Sequence, residues 1–181
     1  MRLLAIDPGT TKSGWVLIED GKPVQWGWDE NEEVMGLLGV TRGILHDEVV
    51  IEDVAHYGMP VGRDVFETVR WTGRFDTTTL MPVVYINRPE VKLALCGNPR
   101  ANDSTIRQAL IDRFGGDTVA IGGKKCQVCK GKGWNGRGRP ICTECRGAGY
   151  ETPPGVLRGI SGHVWSALAV GITYLETVND Q

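Results

Sequence analysis

Two short cysteine pairs, Cys126 with Cys129 and Cys142 with Cys145, divide this 181-residue chain into parts that must be stabilised in different ways. Each pair is a CxxC knuckle and 12 residues separate them, a spacing that offers four thiolates to one tetrahedral ion. Residues 123–149, which hold the pairs, are rich in glycine and poor in large apolar side chains. Such a segment cannot bury a core, and a closed metal site supplies the folding energy it lacks. Two disulfides are the other use of four cysteines; with no secretory leader in view, structural zinc is the expected one. The fifth cysteine, Cys96 after KLAL, is expected to be a small buried apolar side chain.

The rest of the chain, 1–122 and 150–181, is long enough for one ordinary domain with a core, interrupted by the 123–149 insertion. Its apolar runs are too short to span a bilayer, so no membrane association and a cytoplasmic location are expected. The formal net charge is −2, which argues against a polyanionic partner, but the charge is unevenly placed. Between residues 124 and 149 seven bases face Glu144 alone. A basic island on an acidic body favours local contact with nucleic acid, with Lys130, Lys132, Trp134, Arg137 and Arg139 as its candidates.

Hydropathy patterning over the body alternates strand and helix. RLLAID (2–7) reads as a strand, and 14–28 as two strands joined at Asp20-Gly21, a strong hairpin signal. A weak helix over 32–46, a strand over 48–53, a helix over 61–78 carrying Val65, Phe66 and Val69, and a strand over 82–86 follow. A short element precedes a helix capped by Asn102 or Asp103, and a long buried helix spans 159–178. A meander followed by alternating helices and strands makes an α/β fold, with a mixed sheet flanked by helices.

Two of the strands end in acid. Asp7 and Glu52 sit at the C-terminal tips of apolar strands, where ligands commonly bind in such sheets, and neighbouring carboxylates there call for a hard divalent cation. LLAIDPGTTKSGWVLIED resembles the opening strand and hairpin of the RuvC family of Holliday-junction resolvases, in the ribonuclease H-like superfamily. VVIEDV resembles that family's second acidic strand, VKLALCGNPRANDSTIRQAL its VK signature and following helix, and HVWSALAVGITYL its last catalytic helix. The set is closest to phage-type members, which would place the protein in the host cytoplasm. CQVCKGKG and CTECRGAG each fit CxxCxGxG and resemble the zinc modules of DnaJ-type co-chaperones.

The resemblance implies a five-stranded ribonuclease H-like sheet and two Mg²⁺ or Mn²⁺ ions held by Asp7, Glu52 and His163. It also implies a homodimer that resolves four-way DNA junctions by symmetric nicks leaving 5′-phosphate and 3′-hydroxyl ends. Where many members carry Asp-x-x-Asp on the last helix, this chain has His163 and Ser166. Asp103 stands where many carry a base, and is either a further carboxylate at the metals or a helix cap. Lys92, Arg100 and Arg107 are candidates near the scissile phosphate, and Arg63, Arg70, Trp71 and Arg74 for the junction arms. A broader nuclease for flaps and forks and a non-catalytic branched-DNA-binding protein are the competing readings. IDPGTTKSG also resembles the phosphate loop of actin-like ATPases, whose two large lobes do not fit in this length, so no nucleotide cofactor is expected.

Overall fold

The apolar run at residues 3–6 becomes the middle of a five-stranded sheet. In the computed structural model, which describes residues 1–39, 45–55, 58, 61–134, 140–150 and 154–179, the strands are β1 (Arg2–Asp7), β2 (Lys12–Glu19), β3 (Lys22–Glu30), β4 (Glu48–Asp53) and β5 (Val83–Asn87). Their order is β3-β2-β1-β4-β5. The first three run antiparallel, while β4 is parallel to both β1 and β5. Asp20 and Gly21 both have positive φ, 49° and 76°, the twist a two-residue hairpin requires. The chain divides into two compact units, Met1–Arg107 with Ile160–Gln181, and Gln108–Gly159.

In the first unit, alternation along the strands gives the sheet two apolar faces. Leu4, Ile6, Leu17, Val49 and Ile51 pack on one face with Val34 and Leu38 of α1 (Asn31–Leu38) and Phe75 of α2 (Arg63–Thr78). The other face is covered by α6 (Val164–Asn179), which lies against β1, β2 and β4. Gly171 brings this helix so close that a Cβ there would stand 2.9 Å from the Ala5 Cβ. The first unit also holds α3 (Arg88–Cys96) and the start of α4 (Asp103–Arg113).

Several elements differ from the sequence reading. Helix α1 ends at Leu38 rather than 46, because Gly39 is extended; Leu45 and His46 are not helical, and 40–44 lie outside the described residues. Helix α6 starts at 164 rather than 159, since Gly159 and Gly162 take left-handed φ of 94° and 51°. Val65, Phe66 and Val69 of α2 are exposed, and the helix meets the core through Thr72 and Phe75 instead. Cys96 is half-buried at the end of α3. Among the described residues no helix is long and apolar enough to cross a membrane.

The second unit carries the short helix α5 (Gly116–Ala120), which the sequence reading did not contain, and the cysteine segment. Arg158 Nη1 donates to the carbonyls of Gly122 and Gly123, and the Leu157 N–H donates to the Ala120 carbonyl. These bonds fasten the chain leaving the segment to the chain entering it.

Candidate functional site

Strand register lines up the first unit's site. Asp7 faces Gly14 across β1 and β2, and Gly14 faces Trp28 across β2 and β3. On the other side, Ile6 pairs with Ile51, so Asp7 and Glu52 come next in the parallel ladder. Residues opposite one another share a face, and the side chains of this row rise from the face that α6 covers.

His163, one residue before α6, fills the space that Gly14 leaves. A Cβ on Gly14 would come within 2.6 Å of the His163 carbonyl oxygen. The imidazole reaches Asp7, Nδ1 to Oδ2 3.0 Å, and its ring stacks on Trp28 with centroids 6.1 Å apart. Lys12 Nζ lies over the Trp28 ring, 5.1 Å from its centroid. The loop after Asp7 is braced from below: buried Ser13 donates to Asn31 and accepts from the Gly9 N–H, while Asn31 Nδ2 donates to the Gly9 carbonyl.

Glu52 meets a cation the sequence reading overlooked. Arg88, the first residue of α3, places Nη1 3.3 Å from both Glu52 oxygens and Nη2 2.6 Å from Asp103 Oδ1. Asp103 itself is 82% exposed, and the cap of α4 is Asn102, whose Oδ1 accepts from the Thr105 N–H. Burial pushes Glu52 up to about 8, with repulsion from Asp7 adding to it and Arg88 opposing it. Burial also raises Asp7, against the pull of His163. Burial alone would lower Arg88, but Glu52 and Asp103 outweigh it and hold the guanidinium above its ordinary value.

Two neighbouring clefts share Arg88 as a wall. One, of about 290 Å³, is lined by Asp7, Glu52, Thr68 and Arg88; the other, of about 300 Å³, by Arg88, Asp103, Arg107, Trp165 and Ser166. Ser166 opens onto the second cleft, while His163 turns to Asp7. Two largely buried carboxylates at the first cleft, one of them in contact with the His163 imidazole, are a donor set that could hold a divalent cation.

The other candidate residues are spread more widely. Arg107 stacks 4.9 Å over the Trp165 ring at the second cleft. Lys92 is half-buried and Arg100 exposed. Trp71 packs against the core and carries Arg74 4.4 Å over its ring; Arg63 and Arg70 both pair with Glu67. In the second unit Lys130, Lys132 and Trp134 are exposed, and Arg137 and Arg139 lie outside the described residues. The signal that pointed to Asp7 and Glu52, an acid at the C-terminal end of an apolar strand, does not mark Arg88, which follows β5 and meets Glu52 because β5 pairs with β4. Trp28 was findable from the hairpin register.

In the second unit the four cysteines are buried, with all four sulfurs within 4.8 Å of one another. The Sγ atoms of Cys126 and Cys142 are 3.8 Å apart and those of Cys129 and Cys145 3.6 Å. Tetrahedral coordination at a Zn–S distance of ~2.3 Å requires sulfurs ~3.8 Å apart. The knuckles repeat one another: the Gly133 N–H donates to Cys129 Sγ and the Gly149 N–H to Cys145 Sγ, while Lys130 and Arg146 take φ of 51° and 49°. The cluster could hold a metal ion.

Strand order, directions and flanking helices define a ribonuclease H-like fold. No protein-family model matches the chain, and no curated protein matches it by sequence. Among solved structures it is similar to Thermus thermophilus RuvC, with a TM-score of 0.60 and 15% identity over 99% of this chain and 96% of that one. It is likewise similar to T. thermophilus RuvC in complex with Holliday junction substrate, with a TM-score of 0.61 and 14% identity over the same shares.

Proposed function

We infer that the chain is a divalent-metal-dependent endonuclease that resolves four-way DNA junctions, working as a homodimer and leaving 5′-phosphate and 3′-hydroxyl ends. The observation that carries this reading is the convergence of Asp7, Glu52 and His163 from β1, β4 and the approach to α6, in a fold shared with a junction-bound resolvase. Asp7, Glu52 and His163 would hold Mg²⁺ or Mn²⁺. The chemistry supplied by a bound ion is activation of water and neutralisation of charge on the phosphodiester.

The chain's own groups do the rest. Asp7 Oδ2 and His163 Nδ1, 3.0 Å apart, are the atoms that would face a shared ion, with the imidazole proton then on Nε2. Trp28 stacks on the ring, and the missing side chain at Gly14 admits the His163 backbone. A C₂ dimer would present two such sites to the paired scissile strands of a junction. The cysteine cluster holds structural zinc, and the basic residues around it, Lys130 and Lys132 with Trp134, contact DNA. Cleavage of a synthetic four-way junction, a flap, a fork and a plain duplex in Mn²⁺ tests the assignment. Junction cuts at paired positions are expected; equal cutting of flaps and forks would favour the broader nuclease, and tight junction binding with no cutting the non-catalytic reading.

A further inference from the structure

The carboxylates at this site are unequal in their company. Asp7 is met by the His163 imidazole, whereas Glu52 and Asp103 are bridged by one permanently charged guanidinium. Arg88 owes its place to rigid elements. It follows β5 directly and opens α3, whose first turn is closed by Pro89 and a reciprocal capping box between Asn87 and Glu90. Its side chain is only 22% exposed, and it forms the wall between the two clefts. On the far side of that wall stands Ser166, a weaker metal donor than a carboxylate.

We propose that the site takes one divalent ion, and that Arg88 is its second cation, donating to a non-bridging oxygen of the phosphate being cleaved. This rests on the nuclease reading above. A guanidinium has five N–H donors, and the contacts to Glu52 and Asp103 leave others to meet an oxyanion. Glu52 and Asp103 then orient the fork on one side, while the phosphate binds on the other. A second divalent ion would have to displace Arg88 from Glu52, and it would find Ser166 in place of a further acid.

Counting Mn²⁺ bound to the zinc-loaded protein by electron paramagnetic resonance tests the cation count without any cleavage. One Mn²⁺ per chain is expected for wild type, two for Arg88→Ala, in which Glu52 and Asp103 are released, and one for Arg88→Lys, which keeps the charge. Two ions on wild type, or a count unchanged in Arg88→Ala, would overturn the proposal. In single-turnover junction cleavage Arg88→Ala should be about a hundredfold slower, with junction affinity within about threefold and partial recovery on adding guanidinium ion. Cleavage by Arg88→Ala within about threefold of wild type would equally overturn it. A wild type that cuts no branched DNA would defeat the nuclease reading instead, and the Mn²⁺ count would still decide where the second positive charge lies.

Discussion

Asp7 and Glu52 set the site's response to pH. Both are raised by burial, Glu52 from an ordinary 4.5 to about 8, so without a divalent ion the folded protein keeps protons that the unfolded chain releases. The contribution of Glu52 to stability is intact below about pH 4.5 and is lost as pH rises through about 8, and Asp7 acts in the same direction. Without added Mg²⁺ or Mn²⁺, thermal unfolding should therefore fall to lower temperature between pH 6 and 8.5, Glu52→Gln should flatten the decline, and Mn²⁺ should stabilise the wild type more at pH 8.5 than at 6. Equal stabilisation by Mn²⁺ at both pH values would contradict the assignment. These two acids were legible in the sequence because an acid ending an apolar strand has few structural uses. Arg88 was not, because a base at a helix start reads as a solvated residue until β5 is placed beside β4 and its partners appear.

At the scale of elements, two glycines separate the site from the scaffold. Gly14→Ala would drive a methyl group against the backbone of His163, whereas Gly171→Ala would crowd Ile18 and Ala5 on the sheet beneath α6. Each should cost about 1–3 kcal/mol in denaturant unfolding, as overpacking usually does. Only Gly14→Ala should also weaken Mn²⁺ binding by at least about tenfold in calorimetry, and equal loss in both variants would place His163 outside the metal site. The knuckles respond to a different ligand. About one zinc per chain is expected, and Cys126→Ser should lose it together with amide protection in the cysteine segment; retention of both would remove the metal from the account. Strands, hairpin and knuckles were legible from alternation, turn chemistry and spacing. The late start of α6 was not, since periodicity carries no sign of left-handed Gly159 and Gly162, and that start is what brings His163 beside Asp7.

For the whole molecule, the fold is shared with Thermus thermophilus RuvC over almost the full length of both chains at only 15% identity. On the proposed function, Asp7 anchors a metal-dependent phosphodiester cut in branched DNA. The most direct measurement is cleavage of a four-way junction by wild type and Asp7→Asn, with junction binding followed in parallel. Paired cuts by wild type are expected only when Mg²⁺ or Mn²⁺ is present, with at least about a thousandfold loss in Asp7→Asn and binding retained. Cleavage that survives Asp7→Asn, or that needs no divalent ion, would contradict it.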